Sequence, residues 1–142
     1  MTRIDQLVVS AVPGDAITTA AIELQAVLAE LGPSGLYARY IHPEMEGRFE
    51  FPEARMHQSP APSDQDVMVY HASIGEPTLR DVLLHGPERL VVNYHNISPA
   101  GPFWPYDADF ASRLDWGRDE LAALAPRASL ALANSAYSAA EL

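Results

Sequence analysis

Apolar residues in this chain fall into five short runs separated by stretches of helical spacing. Ile4 to Val12 is mostly apolar and β-branched and stops at Pro13-Gly14, which predicts a buried strand. Ile17, Ala20, Ala21, Leu24, Val27, Leu28 and Leu31 then recur at helical spacing. They predict an amphipathic helix over Asp15 to Leu31, with Asp15 placed to cap it and Gly32-Pro33 to stop it. Gly35 to Ile41 reads as a second strand, and Val67-Met68-Val69-Tyr70 as a third that ends at His71. Pro77 to Leu84 suits a short helix with proline in its first turn. Leu90 to Tyr94 is the fourth strand, and Asp107 to Leu124 a helix broken or bent near Gly117. Ser129 to Ala133 is the fifth strand, after which Asn134 and Ser135 resemble a cap for a helix starting at Ala136. Between residues 42 and 65, Pro43, Gly47, Pro52, Pro60 and Pro62 break any long element. Short structure is expected there near Arg48 to Phe51, and Ser59 to Ser63 is a loop.

The alternation of strand and helix predicts one α/β domain over residues 1–142, a Rossmann-like parallel sheet of five or more strands with helices on both faces. In such a sheet ligands sit beyond the carboxyl ends of the strands. Three strand exits carry candidate chemistry. After the first strand, Gly14 permits close approach to the backbone, and Asp15 is either a helix cap or a carboxylate for a ligand hydroxyl. After the third, His71 and Ser73 sit in His71-Ala72-Ser73-Ile74-Gly75, as turn residues or as polar contacts for a ligand. After the fourth, His95 and Asn96 open a loop that continues through Phe103-Trp104-Pro105-Tyr106. A His-Asn pair can donate and accept hydrogen bonds to a polyhydroxylated ligand, and aromatic rings can offer flat surface to a sugar or cover the core.

Composition narrows the functional classes. The net charge of −10 argues against nucleic acid and against anionic lipid as partners. With no cysteine there is no disulfide, thiolate metal site or cysteine nucleophile, and with all nine basic residues arginine there is no lysine Schiff base. Neither G-x-G-x-x-G, nor a P-loop, nor H-E-x-x-H, nor G-x-S-x-G occurs. No metal is expected. The N-terminus lacks a signal pattern and no apolar run has the length of a membrane span, so a cytoplasmic location is the default expectation.

Taken together, Gly14-Asp15-Ala16-Ile17, His71-Ala72-Ser73-Ile74-Gly75, Tyr94-His95-Asn96-Ile97-Ser98-Pro99, Gly117-Arg118-Asp119-Glu120-Leu121 and Ala133-Asn134-Ser135-Ala136-Tyr137 resemble the N-terminal domain of bacterial family 4 retaining glycosyltransferases of GT-B architecture. The order and spacing of these segments run over nearly the whole chain. The resemblance implies a two-domain enzyme that transfers a sugar from a nucleotide-sugar donor to a carbohydrate or lipid-linked acceptor, with no metal cofactor and in polysaccharide or glycolipid synthesis. It implies that His95 points at the donor sugar and that Gly14 and Asp15 lie near diphosphate and acceptor. His71 and Ser73 would line the acceptor side, and Asn134 and Ser135 would lie where the fifth strand ends near the cleft. The facing C-terminal nucleotide-sugar domain of that family has no counterpart in the 142 residues. The expectation is therefore a fragment inactive by itself, from a parent peripheral to the inner membrane face, with self-association through the surface left open. The rival expectations are a stand-alone Rossmann-like domain binding carbohydrate or protein, and a flavodoxin-like regulator. For the latter, Asp5 lies at the wrong end of the first strand to be a phosphoacceptor.

Overall fold

The computed structural model describes all residues, Met1–Leu142. The five apolar runs form strands β1 (Ile4–Ala11), β2 (Leu36–Ile41), β3 (Val67–Ala72), β4 (Arg89–Tyr94) and β5 (Ala128–Ala133). Every pairing is parallel and the order across the sheet is β2-β1-β3-β4-β5. Outside β2, Glu50 makes a single parallel bridge to Tyr37, with Glu50 N–H donating to the Leu36 carbonyl and Ala38 N–H to the Glu50 carbonyl, both at 3.0 Å. This is the stub of a further strand in the stretch Arg48 to Phe51. With it the six extended segments take, in chain order, the doubly wound order 3-2-1-4-5-6, and the direction of winding reverses between β1 and β3.

Helices α1 (Ala16–Leu28), α2 (Pro77–His85), α3 (Ala108–Leu124) and α4 (Ala136–Ala139) follow β1, β3, β4 and β5. Alternation within the strands feeds both faces of the sheet. Val8, Leu36 and Ala38 pack with Ala21 of α1 on one side. Leu7, Val9, Met68, Tyr70, Leu90 and Val92 pack with Leu79 and Leu83 of α2 and Leu114 and Leu124 of α3 on the other. The doubly wound α/β prediction therefore describes the observed fold.

Four local differences from the sequence reading have physical reasons. β3 runs on through His71 and Ala72, because His71 finds buried partners and pairs in register with Asn93. α1 stops at Leu28, short of exposed Leu31, and Val27 within it is also exposed, so the core face is narrower than the apolar spacing suggested. α3 passes through Gly117 unbroken. Gly117 is there for packing: a Cβ on it would stand 2.8 Å from the backbone nitrogen of Gly75 and 3.0 Å from Cδ1 of Ile97. The irregular stretch from 42 to 65 holds two 3-10 turns, Pro43–Met45 and Pro52–His57.

The second turn is fastened to the sheet floor. Arg55 lies buried between two buried carboxylates, donating from Nε to Asp5 at 3.0 Å and from Nη2 to Glu88, with its guanidinium over the ring of Tyr37. Asp5 also accepts from Gly35 N–H at 2.9 Å. Burial raises the Asp5 carboxyl above its ordinary range despite the lowering by the Gly35 hydrogen bond and the nearby Arg55 charge. At the other end of the order, β5 is an open edge whose Leu130 and Leu132 are about half exposed. No helix is long and apolar enough to cross a membrane.

Candidate functional site

Parallel pairing brings the exits of β1, β3, β4 and β5 to one rim, and the reversal between β1 and β3 leaves a crevice there. The β1 exit is built by Gly14 and Asp15. Gly14 has φ +76°, a left-handed conformation that suits glycine in this tight turn. Asp15 caps α1 as its position predicts, its Oδ2 accepting from Thr18 N–H at 2.8 Å and lying 2.9 Å from the Thr18 hydroxyl. Val12 N–H donates to the same hydroxyl at 3.1 Å, so buried Thr18 holds the turn against the end of β1. Capping engages one carboxylate oxygen and leaves the other for a ligand.

The β3 exit is held by helix α3. Gly75 N–H donates to the Arg113 carbonyl at 2.9 Å, and the Gly75–Gly117 approach locks Ser73-Ile74-Gly75 against the helix. Asp15 and Ser73 thereby share a cleft of about 260 Å³, also lined by Ser10, Val12, Ile17 and Ile74. These two sequence candidates come together as expected.

At the β4 exit, His95 continues the sheet by donating its N–H to the Ala72 carbonyl at 2.9 Å. Asn96 then turns the chain with φ 65°. Left-handed backbone is uncommon outside glycine, asparagine being among the residues that enter it most readily, and it is often retained at functional sites. The loop beyond is braced by Tyr94, whose hydroxyl accepts from Ile97 N–H at 3.0 Å and donates to Glu141 at 2.5 Å, and by Arg118, which donates to the Ile97 carbonyl at 2.6 Å. His95 is half-buried. Burial lowers its pKa from the ordinary value, against an opposing pull from the Asp15 carboxylate, so the two side chains are within electrostatic reach.

His71 is placed differently from the expectation that it lines the acceptor side. It lies inside β3 and has no exposed surface. Its ring lies edge to edge with that of His95, 16° from coplanar with centroids 5.1 Å apart, and its Nδ1 is 2.8 Å from His95 Nε2. Its Nε2 is 2.9 Å from Gln6 Oε1, and Gln6 Nε2 donates to the Ala21 carbonyl at 2.9 Å. Burial and the neighbouring His95 pull its pKa down to about 4. Its route to a ligand runs through His95. Sequence reading missed Gln6, although a lone amide at an inward position of an apolar strand is a signal, since buried polar groups need partners.

Asn134 and Ser135 do not join this cluster. Ser135 caps α4, accepting from Ser138 N–H at 3.0 Å, and Asn134 is exposed. β5 lies three strand spacings from β1, roughly 14 Å at about 4.8 Å each. Trp104 and Tyr106 are exposed, while Phe103 packs edge-on against Phe110 at 5.0 Å. The exits from β1, β3, β4 and β5 (residues 12–15, 73–76, 95–107 and 134–135) contain no arginine or lysine. No group of three His, Asp or Glu side chains is arranged to hold a metal ion. The exit segments can hydrogen-bond a neutral polyol and carry no lysine or arginine of their own; Arg118 of α3 reaches the β4 exit but is engaged with the Ile97 carbonyl and Glu141.

Compared with models of known protein families and with curated proteins, the chain matches none.

Proposed function

We propose that this chain forms the acceptor-side, N-terminal domain of a metal-independent, retaining glycosyltransferase of GT-B architecture, related to family 4. The observation that carries the reading is the position of His95. It stands at the strand exit beside the β1/β3 crevice, followed by left-handed Asn96, next to the cleft that holds Asp15 and Ser73. His95 hydrogen-bonds the donor sugar. Asp15, with one oxygen engaged in the helix cap, orients the acceptor hydroxyl with the other. The leaving diphosphate needs its growing charge neutralised, and these strand exits carry no cation to do it. That task falls to groups facing this rim from a second domain, which also holds the nucleotide. Asn134 and Ser135 then stand at the border of the cleft, away from the transferred sugar.

The test is turnover of a nucleotide sugar by a two-domain protein containing this chain, with and without His95→Ala. Loss of a preorganised hydrogen bond at the reacting sugar lowers kcat on the order of a hundredfold. An unchanged kcat refutes the assignment. The 142-residue chain alone is expected to show no turnover. Exposed Trp104 and Tyr106 favour a second reading, a carbohydrate-binding domain without catalysis. Quenching of tryptophan fluorescence by oligosaccharide, with no nucleotide-sugar turnover in any longer form, would select it.

A further inference from the structure

The hydrogen-bond chain behind His95 defines which of its ring nitrogens carries a proton. Gln6 Nε2 must donate to the Ala21 carbonyl, since the reversed amide would set two oxygens against each other at 2.9 Å. Gln6 Oε1 is then an acceptor, so the proton between it and His71 lies on His71 Nε2. A neutral imidazole carries one N–H, which leaves His71 Nδ1 as a lone pair. The partner facing it, His95 Nε2 at 2.8 Å, must be the donor. His95 Nδ1 is then the bare nitrogen. It has no partner within the chain and reaches solvent at the rim. Both histidines are held below their ordinary pKa, mainly by burial, so the neutral forms are the relevant ones near neutral pH.

We infer that Gln6 and His71 are positioning residues that lock His95 as its Nε2–H tautomer, so that His95 meets its ligand through an unprotonated Nδ1 and accepts a hydrogen bond from a ligand hydroxyl. This deepens the transferase reading and rests on it only in taking the ligand to be a sugar. An accepting nitrogen selects a hydroxyl and gives nothing to an unprotonated phosphate oxygen. The His95 contact at the rim is therefore to the sugar ring's hydroxyls and not to the diphosphate. The lock spans three adjacent strands, with Gln6 on β1, His71 on β3 and His95 at the exit of β4. Movement of one strand exit against the next would break it.

The experiment is long-range proton–nitrogen correlation NMR of the imidazoles of the 142-residue chain at neutral pH. Signals are assigned by replacing the five histidines one at a time. The wild-type chain is expected to show both His71 and His95 with Nε2 protonated and Nδ1 bare. Gln6→Leu removes the acceptor and is expected to leave His95 as a mixture of tautomers. A wild-type His95 protonated on Nδ1, or an unchanged His95 signature in Gln6→Leu, overturns the inference. If Gln6→Leu does not fold, the wild-type spectrum decides alone. The spectrum does not depend on any sugar. The lock can therefore fail while His95→Ala still abolishes turnover, and it can hold while turnover is unaffected.

Discussion

Replacing Arg55 by methionine removes one buried cation and leaves two buried carboxylates, Asp5 and Glu88, without the ion-pair partner they share. The Asp5 contact at 3.0 Å alone corresponds to roughly 5 kcal/mol of attraction at an effective dielectric constant of about 20. Releasing the guanidinium from its own desolvation returns part of this. The net loss for breaking a buried pair from one side is about 3–5 kcal/mol. Contact with the Tyr37 ring adds a fraction of this. Against a total stability of about 5–15 kcal/mol for a domain, the variant is left marginal. Its midpoint temperature falls by roughly 10–15 °C. The loss also depends on pH, with a definite sign. The Asp5 carboxyl is raised in the folded state, so the folded chain binds a proton more tightly than the unfolded chain. Stability therefore declines as pH rises from the ordinary carboxylate range through the folded value. Without Arg55 that decline steepens, so the variant is most impaired near pH 7 and recovers toward about pH 4. Urea unfolding followed by circular dichroism at both pH values measures this, with the slope m unchanged. A loss below about 1 kcal/mol, or one that does not shrink on acidification, refutes the reasoning.

Two further outcomes are expected. Gly117→Ala should destabilise by about 1–3 kcal/mol, because the new methyl meets the Gly75 backbone at 2.8 Å. In an exposed helix the same change would stabilise by about 1 kcal/mol, so the sign of the shift in thermal midpoint is the measurement. Asp15→Asn should keep the stability of the parent to within a few tenths of a kcal/mol because asparagine caps equally well, while Asp15→Ala loses about 0.5–2 kcal/mol. Comparing the two in denaturant separates the structural duty of Asp15 from any loss of turnover that both variants share in a two-domain protein.

The strands and helices were legible because each is a local pattern. β-branched runs, the Asp15 cap and the proline that opens α2 act within a few residues. The convergence of Gly14, Asp15, Ser73 and His95 was legible one step further, since parallel strands deliver their exits to one rim. His71 was misread because its partners lie 24 and 65 residues away, and nothing local says that a strand can carry a histidine inward. The Asp5–Arg55–Glu88 group was invisible for the same reason, its members being 50 and 33 residues apart. Gly117 shows a different limit. Glycine within a helical pattern signals either a bend or a close contact, and only the partner backbone at Gly75 decides which.

The proton shared by His71 and Gln6 is sealed between β1 and β3, with no exposed atom on His71. It can trade places with deuterium only when those two strands part. Its lifetime in heavy water is therefore a clock for the opening of the seam at which the winding of the sheet reverses. A molecule that bridges the exits of β1 and β3 at the rim should slow that clock without touching His71. A residue with no exposed surface of its own then becomes a gauge of occupancy at the rim.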